Sequence, residues 1–312
     1  MPVMGTALRA PSSQPRLTCF AMTDRHVIRS SALDATVRAQ GGELVALSNA
    51  KGSLLWHGGP EWPRHAPVLF PMVGRLKDDR LIHQGHSYRL TQHGFARDSL
   101  FDWVERSESR AVLRLTQNET TLAAYPFRFT LEMIYAVEDR TLSVTTRVHN
   151  PGAVPLPCGV GAHPAFRWPL TEGCAKESHA LVFERPEAGP ALSVEGGLLG
   201  KPIPLPFSGD TLPLSEALFA ADAIVMPGVA SRSVRFVSRD AGGAELGTLT
   251  VSWEGYKDLG IWSKPDGADF LCIEPWYGMA SPVGWQGEIA KKPGILLLAP
   301  GDSRDFTWRV EA

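Results

Sequence analysis

The chain has 312 residues, 31 of them basic and 33 acidic, which leaves a formal net charge of −2. A balance this near neutral carries no broad basic field for nucleic acid or an anionic membrane surface. Apolar residues at 44% against 21% charged exclude a disordered chain, and the length suffices to bury a large core without staples.

Taken from the N-terminus, residues 1–21 read as a flexible leader. They contain Pro2, Pro11 and Pro15 and lack the apolar run of a secretory signal. Met22 stands as an alternative start. Ser31 to Gln40 carries a short, weak helical pattern. Residues 57–67 are rich in breakers and read as a loop. Ala111 to Leu115 is a short strand. From Phe129, apolar residues fall on every second position: Leu131, Met133, Tyr135 and Val137. Asp139-Arg140 interrupts, then Leu142, Val144, Thr146 and Val148 resume until Asn150-Pro151-Gly152. Period two broken by turn residues is the mark of a half-buried antiparallel hairpin.

Residues 150–169 and 186–213 read as long loops, and Leu214 to Ala221 as a second weak helix. Val234 to Val237 and Leu249 to Trp253 flank the turn Asp240-Ala241-Gly242-Gly243. Leu296 to Ala299 and Phe306 to Val310 flank Pro300-Gly301-Asp302. No fixed-period repeat occurs, and no apolar stretch approaches the roughly 18 residues of a membrane span. The expected architecture is all-β: one sandwich of antiparallel strands with few short helices over residues 22–312, its turns supplied by 30 glycines and 25 prolines.

Four cysteines, Cys19, Cys158, Cys174 and Cys272, show no CxxC spacing. They read as free thiols of a cytoplasmic protein, with no metal expected.

Three clusters place protonatable groups beside glycine or proline: Gln92-His93-Gly94-Phe95-Ala96-Arg97-Asp98, Gly161-Ala162-His163-Pro164-Ala165-Phe166, and Cys272-Ile273-Glu274-Pro275-Trp276-Tyr277. Singly, each is as well explained by a structural histidine, a turn or a solvated strand-end acid. Together with Trp56-His57-Gly58, Trp62, Pro67-Val68-Leu69-Phe70-Pro71 and Gly74-Arg75, they closely resemble the aldose 1-epimerase (galactose mutarotase-like) family, its LacX-type branch in particular. The resemblance spans residues 24 to 310. It implies a single-domain β-supersandwich and an isomerase that interconverts the α and β anomers of a hexose.

The resemblance also assigns roles. Glu274 matches the family's general base and His163 its general acid. Such chemistry needs one base and one acid on a single small molecule, and no cofactor. His93, Arg75 and Asp222 match residues that hold sugar hydroxyls. Arg75 is alternatively a structural partner of Asp78 or Asp98, and Asp222 an ordinary acid at a strand start. Trp276 is the leading candidate for a sugar-facing ring and Trp262 the next, while Trp253 and Trp308 fall on core-facing positions.

Gly74-Arg75-Leu76-Lys77 lacks the asparagine of the galactose-specific branch, and His93 stands alone in its cluster. The His93–Arg97 string is also similar to one in hexose-6-phosphate epimerases, where Arg97 would meet the phosphate. Pairing of Arg97 with Asp98 or Asp102 is the alternative. A sugar 6-phosphate substrate and a non-catalytic carbohydrate-binding protein are the competing functions. The expected partner is a small sugar, with no nucleic acid or membrane, and the expected state is monomer or homodimer.

Overall fold

The computed structural model describes residues 24–265 and 267–312. The expected leader, Met22 and Cys19 lie outside these residues. The described chain is all-β and organised around two large antiparallel sheets. The larger runs, in order, Gly209–Pro213, His179–Glu187, Ser233–Arg239, Glu245–Glu254, Ser303–Glu311, Thr141–His149, Thr130–Glu138, Arg110–Thr116 and Asp102–Arg106. The smaller runs Leu198–Ile203, Ala191–Glu195, Ile224–Met226, Asp258–Trp262, Phe270–Tyr277, Val160–Ala162 and Val68–Leu69, with Ala165–Arg167 also paired to Phe270–Tyr277. A four-stranded sheet, Arg25–Arg29 to Gly52–Ser53, the hairpin Arg80–His83 with His86–Arg89, and the pair Leu156–Cys158 with Leu296–Leu298 complete the fold.

The larger sheet obeys the alternation of its sequence. In Thr130–Glu138 the residues Leu131, Met133, Tyr135 and Val137 are buried, and the intervening ones are half-buried. Thr141–His149 repeats the pattern, and Asp139 takes the left-handed turn position between them with φ 48°. The outer face carries cross-strand ion pairs: Arg114 to Glu132 at 2.7 Å and Arg147 to Asp305 at 2.8 Å. The inner face meets the smaller sheet in one apolar core, where Leu131, Val251 and Phe306 join Leu259, Ile261, Leu271 and Ile273.

The smaller sheet is covered on both faces, and this creates the site. Phe270–Tyr277 is buried at every position but the last. Leu271 and Ile273 point into the main core. On the opposite face, Phe270 and Cys272 pack with Trp56, Trp62 and Trp262, and Trp276 packs with Leu69, Val73 and Val225. Glu274 lies between these two clusters.

Four local expectations are corrected. Ser31–Gln40 is not helical: Asp34–Arg38 is a strand, buried through Ala35 and Val37 and paired on both sides. Its alanines imitate a helix former, and the Ser30 hydroxyl organises a turn by accepting from the Ala32 and Leu33 amides. Leu214–Ala221 contains only the 3₁₀ turn Glu216–Phe219. Residues 150–169 hold three short strands, Leu156–Cys158, Val160–Ala162 and Ala165–Arg167, separated by Gly159 and by His163-Pro164. Residues 186–213 hold Ala191–Glu195, Leu198–Ile203 and Gly209–Pro213. The last two are sheet edges, where proline is tolerated because no further strand needs its missing N–H.

Candidate active site

His163 and Glu274 meet because of strand register. Gly161 pairs with Trp276, and Ala165 pairs with Cys272. Both segments keep the same register, so His163 falls directly opposite Glu274. Pro164 has no N–H to continue the ladder, and the pairing opens at this point. The His163 Nε2 atom lies 3.3 Å from Glu274 Oε2. Both side chains are deeply buried, at 8% and 1% exposure.

The flanking rings follow from the same strand face. Trp62 stacks on the His163 imidazole with centroids 5.1 Å apart, and Trp262 meets it edge-on at 5.9 Å. Trp276 lies across two glycines of neighbouring strands. A Cβ on Gly260 would fall 2.3 Å from the indole, and one on Gly161 would fall 2.8 Å from it. These glycines therefore provide the space for the ring.

His93 is held by a different device. It sits at φ 65°, and Gly94 follows at φ 71° with its Cα so close to the Phe70 carbonyl that a Cβ would lie 2.3 Å from that oxygen. Only glycine fits there. The His93 amide donates to the Gly74 carbonyl, and the Gly74 amide donates to His93 Nδ1. With Nδ1 accepting, a neutral His93 carries its hydrogen on Nε2, which lies 3.3 Å from the Gln92 side-chain amide. Burial, together with His163 and Arg97, holds the His93 pKa well below the usual value.

These groups line one cavity of about 350 Å³, a size suited to a small molecule. His93, Arg97, His163, Asp222, Glu274 and Trp276 all reach its wall. Asp222 has φ 84°, unusual for a residue with a side chain, and its carboxylate accepts from the Ala223 amide. Arg97 donates from Nη2 to the Gln92 carbonyl, while its Nε is buried without a partner. Burial and the nearby Arg64 lower its pKa to about 10. Both arginines lean on the one carboxylate of Asp98.

Arg75 is not brought to the cavity wall. Its guanidinium makes a bidentate contact with Asp79, at 2.8 and 3.2 Å. The carboxylate that holds it is thus neither Asp78 nor Asp98. Trp262 lines the cavity, whereas Trp253 and Trp308 are core residues. Two further wall residues were not singled out as ligand contacts by sequence reasoning: Trp62 and Gln92. Trp62 belongs to the 57–67 loop, anchored by the buried Glu43 carboxylate, which accepts from the His65 and Ala66 amides. A tryptophan in a breaker-rich loop was its one available signal.

Burial governs the protonation of the central pair. It raises the Glu274 carboxyl well above its ordinary pKa and lowers His163 to about 3. Burial therefore favours a neutral carboxylic acid beside a neutral imidazole, with one transferable proton on the acid. This differs from a resting carboxylate and imidazolium, because the three indoles and the sheet remove water from both groups.

The family model for aldose 1-epimerase matches residues 24–191. The LacX protein of Lactococcus lactis subsp. lactis is 29% identical over 295 residues, which cover 91% of this chain and 97% of the relative. A galactose mutarotase related enzyme from Lactobacillus acidophilus shares the fold with a TM-score of 0.83 at 28% identity, covering 92% of this chain and 96% of that one. A galactose mutarotase-like protein from Lactobacillus casei ATCC 334 matches with the same TM-score and identity, over 92% and 99% of the two chains. Among the described residues, no helix is long and apolar enough to cross a membrane.

Proposed function

The chain belongs to the aldose 1-epimerase family, and from that premise we propose that it interconverts the α and β anomers of a hexopyranose through His163 and Glu274. The observation that carries this reading is the 3.3 Å separation of His163 Nε2 and Glu274 Oε2 at the floor of the cleft. In a pyranose, the anomeric hydroxyl oxygen and the ring oxygen are bonded to the same carbon. An acid and a base a hydrogen-bond length apart can therefore serve both oxygens at once. A glycoside hydrolase commonly needs two carboxylates, spaced roughly 5–9.5 Å apart.

In the proposed cycle, the Glu274 carboxyl proton first passes to His163 across the 3.3 Å gap. The stacked Trp62 ring supports the resulting imidazolium. Glu274 then takes the proton of the anomeric hydroxyl while His163 protonates the ring oxygen, and the C1–O5 bond breaks. The aldehyde group rotates about C1–C2. Closure reverses the transfers: Glu274 returns its proton to the new anomeric oxygen, and His163 takes back the proton from the ring hydroxyl. No proton is consumed overall. His93 Nε2–H and the Asp222 carboxylate hold ring hydroxyls, and Trp276 offers an apolar face.

A second reading, a hexose 6-phosphate, is favoured by Arg97. Arg97 lines the cavity and shares the single Asp98 carboxylate with the neighbouring Arg64, which leaves a cation for an anionic substituent.

Polarimetry or NMR on freshly dissolved α-glucose, α-galactose and their 6-phosphates tests both readings. Faster equilibration of at least one sugar is expected. If none responds and saturable sugar binding remains, the protein is a binding module and the catalytic proposal fails.

A further inference from the structure

Behind His163 and Glu274, beneath the cavity wall, lies a third donor that the sugar chemistry does not use. Cys272 stands two residues before Glu274 on the same face of Phe270–Tyr277. Its thiol, an imidazole nitrogen of His163 and a carboxylate oxygen of Glu274 all lie within 4.8 Å of one another. Cys272 is fully buried, and it is a free thiol. Glu274 Oε2 and His163 Nδ1 are buried with no hydrogen-bond partner, although the protein satisfies most other buried polar side chains. A carboxylate oxygen of Glu274 lies within 4.8 Å of the sulfur.

One thiolate, one imidazole and one carboxylate are the donor types that zinc takes, leaving a fourth position for water or substrate. We propose that His163, Cys272 and Glu274 form an inhibitory Zn²⁺ site at the floor of the cleft. Binding forms Zn–S, Zn–N and Zn–O bonds, and the Cys272 thiol proton and the Glu274 carboxyl proton both leave to solvent. No electron moves. A tetrahedral site with these ligands has donor–donor spacings of about 3.5 Å. Rotation of the Cys272 and Glu274 side chains closes the remaining gap. The fourth position opens to the cavity. A bound ion occupies the acid and the base together, so it competes with sugar. Magnesium and calcium, which prefer oxygen donors, are poor occupants. Two donors come from one strand and the third from the His163-Pro164 break opposite it, which is why spacing along the chain does not reveal them.

Binding stands independently of the epimerase reading, whereas inhibition rests on it, and two measurements separate them. Cobalt(II) is titrated into the full chain after chelator treatment. One equivalent is expected to bind with a near-ultraviolet thiolate-to-cobalt charge-transfer band, displaced by zinc. The band should persist in Cys174→Ser and vanish in both Cys272→Ser and Cys272→Ala. In the sugar assay, zinc should slow equilibration reversibly, with EDTA restoring the rate and magnesium having no effect. Half-inhibition in Cys272→Ala should require roughly tenfold more zinc or higher, since losing even an outer-sphere partner costs that much affinity. Absence of the band in the native chain overturns the site, as does a band or a zinc sensitivity unchanged in Cys272→Ala. If no sugar turns over, the epimerase reading fails and the cobalt band alone decides the site.

Discussion

The two sheets of this molecule bury their residues differently. The larger sheet has one dry face and one half-wet face, so its strands alternate and its outer side is laced with Arg–Glu and Arg–Asp pairs. The smaller sheet has two dry faces: one belongs to the main core, and the other is divided into two apolar clusters with Glu274 between them. The larger sheet supplies bulk stability. The smaller one uses its second buried face to strip water from Glu274 and His163.

Substitutions can break this contrast, and the largest effect is expected at the centre of the doubly buried face. Glu274→Gln and His163→Asn should each lower kcat by roughly 10²–10⁴-fold while leaving the fold intact by circular dichroism. A comparable loss from an isosteric change on the larger sheet would contradict the division of roles. Leu131→Ala, in the core face of the larger sheet, should cost about 2–5 kcal/mol in denaturant unfolding. Its kinetic constants should stay near native wherever the chain remains folded.

Gly260→Ala addresses the indole seat, because its Cβ would fall 2.3 Å from Trp276. Overpacking of this kind costs about 1–3 kcal/mol. The displaced ring should raise KM more than it lowers kcat, measured by initial rates across sugar concentration. An unchanged KM would remove Trp276 from sugar binding.

The smallest effect is in the pH dependence of stability. Burial lowers His163 from 6.5 to about 3 and raises Glu274 from 4.5. Between pH 4.5 and 6.5 the folded pair keeps its proton on Glu274 and the unfolded chain keeps one on His163, so the contribution is level. Above 6.5 the folded state retains a proton that the unfolded state has released, and stability falls as pH rises. Below 4.5 the unfolded state binds a second proton that the folded pair refuses, and stability falls toward pH 3. Subtracting Tm against pH for the double variant Glu274→Gln/His163→Asn from the wild-type curve should leave this plateau with two falling limbs. A flat difference would mean that burial does not control the pair.

The same contrast explains what the amino-acid sequence made readable. Leu131 to Val148 announces its hairpin because one face stays wet and the polar positions mark the period. Phe270–Tyr277 has no such marker, and it was visible only as a motif around Glu274 and Trp276. Asp34–Arg38 was obscured by small residues, Ala35 above all, whose local preference favours helix until two neighbouring strands pair with it. Leu198–Ile203 was obscured by Pro202, harmless at an edge. The site motifs did locate five of the wall residues besides Trp276. The attachment of Arg75 to Asp79 was not readable, because several carboxylates lie close by in the chain and only the fold selects one.

The shared register of Val160–Ala162 and Ala165–Arg167 against one strand makes the sheet a ruler for the His163–Glu274 distance. The length of the segment between Gly161 and Ala165 is therefore constrained more tightly than its composition. One inserted residue would turn the imidazole to the opposite face of the sheet and leave Glu274 facing bare backbone.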